Sequence, residues 1–141
     1  MKRIMPLTVL AALAVLVVCT RQQAASAADP GQAGDMGIGP VKELKLGPVD
    51  QKLADKGKQI FDAKCAACHG LDKAIAGPPL GGVLSQQTPE FVMNMILNTA
   101  GMEAQNATVK KAMSKYGMSM PSPGLSQQDA RAVVEYFRTT K

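Results

Sequence analysis

Along the 141 residues an apolar block comes first, then a stretch without any period, then a series of short helical rhythms separated by turn residues. The apolar block is a continuous run from Leu7 to Val18, behind Lys2 and Arg3. Between 29 and 49 the residues Pro30, Gly31, Gly34, Gly37, Gly39, Pro40, Gly47 and Pro48 argue against a packed element and predict a flexible linker. Leu53, Gly57, Ile60, Phe61 and Lys64 then follow an i, i+3, i+4 rhythm, which predicts a helix with Asp50 as its N-cap. Thr88, Pro89 and Glu90 announce a second helix, as cap, first helical residue and first-turn acid. Its Phe91, Val92, Met93, Met95, Ile96 and Leu97 leave almost no polar side, so it should be buried. A shorter helix is expected over 108–115, and a last one after Ser126-Gln127-Gln128-Asp129, which resembles a capping box with Asp in place of Glu. Ala130, Val133, Val134 and Phe137 form the stripe of that last helix, and the Gly-, Ser-, Pro- and Met-rich residues from Tyr116 to Leu125 form the loop before it. No strand alternation persists, so the chain reads as all-α, with one domain over 50–141.

The chemistry concentrates in one pentapeptide, Cys65-Ala66-Ala67-Cys68-His69, which holds the one histidine of the chain. Residues i, i+3 and i+4 share a helical face, so both thiols and the imidazole can address one macrocycle. Two thiols adding across two vinyl groups, with a histidine close enough to bind iron, is the haem c attachment pattern. A redox dithiol would be expected near a βαβ pattern, and none is visible. A structural zinc site wants four ligands, and beyond these three only the distant Cys19 is on offer. The second iron ligand must come from elsewhere, and a methionine thioether is the natural candidate. Met36 lies in the linker, while Met93 and Met95 sit in a predicted helix and read as core. Met118 and Met120 stand in the loop before the last helix, where the chain has freedom to reach the iron, and Met120 is stiffened by Pro121.

The N-terminus reads as an export signal over 1–28, with a basic start, a short apolar run and Ala25-Ser26-Ala27 as a cleavage pattern, cut after Ala27 or Ala28. The run is short for a bilayer span, which takes about 20 residues. An uncleaved anchor or a lipidated Cys19 are the other readings, although Val18 is bulky for a lipoprotein cut site. Haem c is attached outside the bacterial cytoplasmic membrane, so a haem c motif behind an export signal implies the periplasm, and no disulfide is expected in the mature chain. Loss of Lys2, Arg3 and Arg21 lowers the formal charge from +5 to +2, which excludes a nucleic-acid binder. The remaining excess, on Lys52, Lys56, Lys58, Lys64, Lys73, Lys110, Lys111 and Lys115, suits either a local basic patch or an ordinary solvated surface. Aromatics are only 4% of the chain, and a buried haem would supply the apolar bulk that so small a core lacks.

These residues together resemble a small bacterial class I cytochrome c, over roughly 53–138. The resemblance rests on Gly57 and Phe61 before the haem motif, then Gly77-Pro78-Pro79-Leu80, then a methionine beside a proline, and last the pair Val133 and Tyr136. It implies three to five helices wrapped around one covalently attached haem c, with Cys65 and Cys68 as thioethers and His69 as proximal iron ligand. It also implies that the Pro78 carbonyl accepts the His69 Nδ1–H, that Leu80 belongs to the haem environment, and that Gly57 and Phe61 cross Val133 and Tyr136. The Met-Pro pairing favours Met120 over Met118 as distal ligand, with Met102 a third candidate in a less standard region around Gly101.

The function this implies is a monomeric one-electron carrier without a small-molecule substrate. In this family a membrane quinol-oxidising complex is the donor and a terminal oxidase or periplasmic reductase the acceptor. One competing class is an enzyme or ligand sensor with a displaceable sixth ligand. Another is a haem module tethered to one membrane complex through its signal or a lipid on Cys19.

Overall fold

A computed structural model describes residues 34–140. The expected signal peptide and Cys19 lie outside the described residues. Five α-helices follow in order: α1 (Gln51–Lys64), α2 (Pro89–Leu97), α3 (Thr99–Gln105), α4 (Ala107–Tyr116) and α5 (Gln127–Phe137). A single 3-10 turn, Val83–Ser85, interrupts the long segment between α1 and α2. Among the described residues there is no strand, only an isolated bridge between His69 and Ala74.

The first and last helices form the centre. Asp50 caps α1 by accepting from Leu53 N–H at 3.1 Å, and Ser126 caps α5 by accepting from Asp129 N–H, also at 3.1 Å. The Asp129 carboxylate closes this box on the Ser126 hydroxyl at 2.7 Å. The two helices cross at Gly57, where a Cβ would overlap the Ala132 carbonyl and press on Tyr136 Cβ. Only a hydrogen at that position lets the backbones approach so closely. One turn on, Phe61 lies 5.6 Å from the Tyr136 ring and 5.8 Å, edge-on, from Phe137. Val133, Val134 and Ala130 complete the core at this crossing, together with Val92, Met93 and Ile96 of α2.

α2 is capped by Thr88, whose hydroxyl oxygen accepts from Phe91 N–H at 3.1 Å, with Pro89 at the first helical position. Its burial on nearly all sides matches the pattern of apolar residues, but one buried residue is polar: Asn94 is 0% exposed. The region after α2, which the periodicity left irregular, contains α3. Seven residues give too few apolar positions to register a period. Asn98 and Asn106 punctuate the chain here, Asn98 between α2 and α3 and Asn106 between α3 and α4. The glycine at 101 leaves room for the Asn98 amide, which a Cβ would strike.

The flexible linker expected over 29–49 needs correction for its described part. Residues 35–46 have neither helix nor strand, as their Pro/Gly content implies, yet they form a strap fastened across α2, α3 and the start of α4. Asn94 accepts from Val41 N–H at 2.9 Å and donates to the carbonyls of Val41 and Met36, each at 2.8 Å. Asn98 donates to the Ile38 carbonyl, Met102 Sδ accepts from Ile38 N–H at 3.0 Å, and Asn106 donates to the Asp35 carboxylate. Thr88 and Glu90 bind Asp35 and Leu44 in the same way. Side chains thus satisfy backbone groups that a regular element would pair internally. Val41 is only 3% exposed and belongs to the main core.

Candidate haem-attachment site

α1 delivers the first cysteine. Cys65 N–H still bonds the Phe61 carbonyl at 2.8 Å, and the chain continues in tight turns, with Cys68 and His69 both donating to the Cys65 carbonyl at 3.0 and 2.9 Å. The three residues of the motif therefore sit on one turn, as their spacing requires. Cys65 and Cys68 are free thiols, both half-buried. Burial pushes the Cys65 thiol above its ordinary pKa, and the neighbouring Cys68 adds to the shift.

After His69 the backbone folds back over the motif. Ala76 and Gly77 donate to the Cys68 carbonyl at 3.1 and 2.9 Å, Leu80 to Gly70 at 2.9 Å, and Gly81 to Leu71 at 2.8 Å. This return carries Pro78 to the imidazole, where its carbonyl oxygen lies 2.8 Å from His69 Nδ1. A carbonyl can only accept, so Nδ1 carries a proton, and in the neutral ring the lone pair is then on Nε2. Gly77 makes the fit possible, because a Cβ there would overlap His69 Cε1.

The surroundings fit a flat apolar macrocycle. Cys65 packs against the main core, as do Leu71, Leu80, Val83, Leu84 and Leu97, all of them only partly buried. Two free thiols, an imidazole and partly buried apolar residues on the same core as Cys65 are the kinds of donor and surface that a vinyl-bearing iron porphyrin needs. Among the described residues, no group of three or more His, Cys, Asp and Glu is placed to hold a bare metal ion, so a zinc site gains no support.

The methionines separate by environment. Met93 and Met102 are fully buried, and Met102 already engages Ile38 through its sulfur. Met95 and Met113 pack on a second small core of Phe91, Met102 and Val109. Met118 is 53% exposed, whereas Met120 is half-buried. The backbone N–H of Met120 donates to Glu103 Oε1 at 2.7 Å. No hydrogen bond among the described residues joins 118–125 to 65–81. The sequence reading missed Glu103 because it missed α3; a lone acid in a short polar stretch carries no signal of its own.

A sequence model described as cytochrome c matches residues 54–141. The chain is 33% identical over 95 residues to cytochrome c-554(547) of Halothiobacillus neapolitanus, covering 62% of this chain and 97% of that protein. Its structure is similar to that of a cytochrome c from Rhodothermus marinus, with TM-score 0.70, 40% identity, and coverage of 71% of this chain and 87% of the other. An engineered form of the Rhodothermus marinus protein bound to a carbene intermediate matches with TM-score 0.66 and 40% identity, over 71% of this chain and 88% of its own.

Proposed function

Because the chain belongs to the cytochrome c family, we propose that it is a periplasmic one-electron carrier with His69 and Met120 on the two faces of its haem iron. Family membership itself carries covalently bound haem c and an electron-carrying role. Haem c supplies one-electron exchange between ferric and ferrous iron. Cys65 and Cys68 hold the group by thioethers, and Pro78 keeps the His69 proton on Nδ1 so that Nε2 remains a ligand. That 2.8 Å contact is the observation that carries the proximal half of the proposal.

Elimination supports the distal half. The sulfur of Met102 accepts from the strap, Met93 is locked in the core, Met95 and Met113 pack on the second core, and Met36 and Met118 stand open to solvent, which leaves Met120 half-buried on a loop with its backbone held. Two permanent protein ligands leave no place for substrate, which favours a carrier over an enzyme or sensor. Export through the signal-like 1–28 segment would place it among quinol-oxidising complexes as donors and terminal oxidases or periplasmic reductases as acceptors. No helix among the described residues is long and apolar enough to cross a membrane. Exposed Lys64, Lys73, Lys110, Lys111 and Lys115 provide positive charge for steering toward an acidic partner, an effect that salt weakens.

The test is the visible spectrum of the purified holoprotein in both oxidation states, with and without carbon monoxide. A six-coordinate spectrum indifferent to carbon monoxide is expected. Ready binding would sink the carrier reading and point to a displaceable sixth ligand.

A further inference from the structure

α3 lies between two irregular segments and is bonded to both. On one side Met102, fully buried, accepts the strap's Ile38 N–H through its sulfur. The next residue, Glu103, is half-buried and accepts Met120 N–H at 2.7 Å. Neighbouring helical residues point about 100° apart, so one short helix can hold the strap with one side chain and the methionine loop with the next. The helix is fixed at its ends as well: Asn98 donates to Ile38 and Asn106 to Asp35, both in the strap.

The loop itself has little else to hold it. It leaves α4 at Gly117 and turns again at Gly124, both in the left-handed region with φ of +67° and +65°. Pro121 and Pro123 have no N–H to give, and Met118, Ser119, Pro121 and Ser122 are exposed. Among the described residues, the bond from Met120 to Glu103 is the one hydrogen bond that ties 118–125 to the rest of the protein. It falls on the backbone of the residue whose side chain has to be placed. An ionised carboxylate accepting a backbone N–H is also among the stronger kinds of hydrogen bond.

We infer that Glu103 is the positioning residue for Met120: carried on a helix pinned by the strap, its carboxylate fixes the backbone from which that methionine reaches the haem iron. The inference rests on the reading of Met120 as distal ligand. Glu103 does not touch iron or partner; it sets how much of the time the sulfur stays on.

The experiment uses the purified holoprotein and the variants Glu103→Ala, Glu103→Gln and Met120→Ala. The readouts are the Fe–S(Met) charge-transfer absorption of the oxidised form, carbon monoxide uptake by the reduced form, and hydrogen exchange at the Met120 amide. Loss of a hydrogen bond to a charged acceptor should raise the methionine-off population of Glu103→Ala roughly tenfold or more, seen as faster carbon monoxide uptake. Glu103→Gln keeps an acceptor oxygen and should recover most of the wild-type behaviour. The Met120 amide should be protected in the wild type and exchange faster in Glu103→Ala, with α5 amides unchanged. Wild-type uptake and wild-type Met120 exchange in Glu103→Ala would overturn the inference. If Glu103→Ala yields no holoprotein, exchange in the wild type decides, and an unprotected Met120 amide overturns it. Failure of the underlying ligand assignment has its own signature, a charge-transfer band that survives Met120→Ala, and the inference falls with it.

Discussion

The buried carboxylate of Glu135 accepts the backbone N–H of Asp50 at 2.8 Å, so the last helix holds the residue that caps the first. Its other contacts are Arg131, paired to Oε2, and Arg138, 2.7 Å from Oε1. Arg138 reaches on to the Gly47 carbonyl at 2.7 Å, just past the end of the strap. One carboxylate thereby joins α5, the start of α1 and the segment before it. The haem motif begins where α1 ends, so the same junction sets the base from which Cys65 is presented.

Glu135→Ala should therefore destabilise the fold substantially. It removes the acceptor for Asp50 N–H and leaves two arginines without their partner. Breaking a buried ion pair costs on the order of 3–5 kcal/mol, and the low end applies because both arginine side chains retain some exposure, 22% and 19%. Denaturant titration of the holoprotein measures it; a loss below about 1 kcal/mol would show the junction to be incidental.

Glu135 also makes stability depend on pH in a defined direction. Burial alone would raise its pKa, but the Arg131 hydrogen bond, the Asp50 N–H and the charges of Arg131 and Arg138 outweigh this and hold it below the ordinary 4.5. A lowered folded pKa means that the unfolded chain binds the proton more readily. The contribution is present in full above the ordinary value and fades as pH falls through the folded one. The gap in melting temperature between wild type and Glu135→Gln should be widest near neutral pH and narrow below about pH 4. A gap that stays constant down to pH 3 would contradict this assignment.

Gly77→Ala should disturb the proximal side without touching a ligand. Its methyl would collide with the His69 ring, forcing the imidazole away from the Pro78 carbonyl and releasing the Nδ1 proton from its acceptor. Crowding of this kind costs typically about 1–3 kcal/mol. Lower yield of haem-loaded protein and an altered reduction potential are expected, with helical content by circular dichroism retained. An unchanged potential at full loading would show that the ring tolerates the displacement.

On the distal side, Met120→Ala should lose the Fe–S(Met) charge-transfer band and lower the reduction potential, while Met118→Ala keeps both. Exposure separates the two residues, since Met118 stands 53% open to solvent. The opposite result would move the ligand to Met118.

Signals that are local in the chain survived the passage to structure; those that depend on a partner far away did not. Asp50, Thr88 and Ser126 cap the helices they were expected to cap, because a cap is decided within three residues. The expected Pro78–His69 bond is present for a similar reason, nine residues apart on one folded-back loop. α3 was hidden by its length. The strap was hidden because composition reports the absence of internal pairing, whereas its partners Asn94, Asn98, Met102 and Asn106 lie more than fifty residues on. Those four, three asparagines and a methionine, recur every fourth residue, a spacing visible in the sequence but meaningless until the segment they bind is known. Glu103 shares that origin.

Asn94→Leu isolates the strap. The substitution keeps the volume roughly constant but removes one acceptor and two donated bonds to Val41 and Met36, leaving both buried backbone groups of Val41 and the partly exposed Met36 carbonyl unpaired. Each unpaired group costs about 1–3 kcal/mol if it stays buried, so the cheaper response is for the strap to lift and regain water. Lifting exposes Val41 and frees Ile38 N–H from Met102, loosening α3 on the face next to the one that holds the methionine loop. Limited proteolysis should therefore cut the variant within 35–46 much faster than the wild type, while α1 and α5 stay protected. The same variant should take up carbon monoxide faster when reduced, because a looser α3 holds Glu103, and through it Met120, less firmly. Faster cutting with unchanged carbon monoxide uptake would show a strap that is docked but does not communicate with the ligand loop.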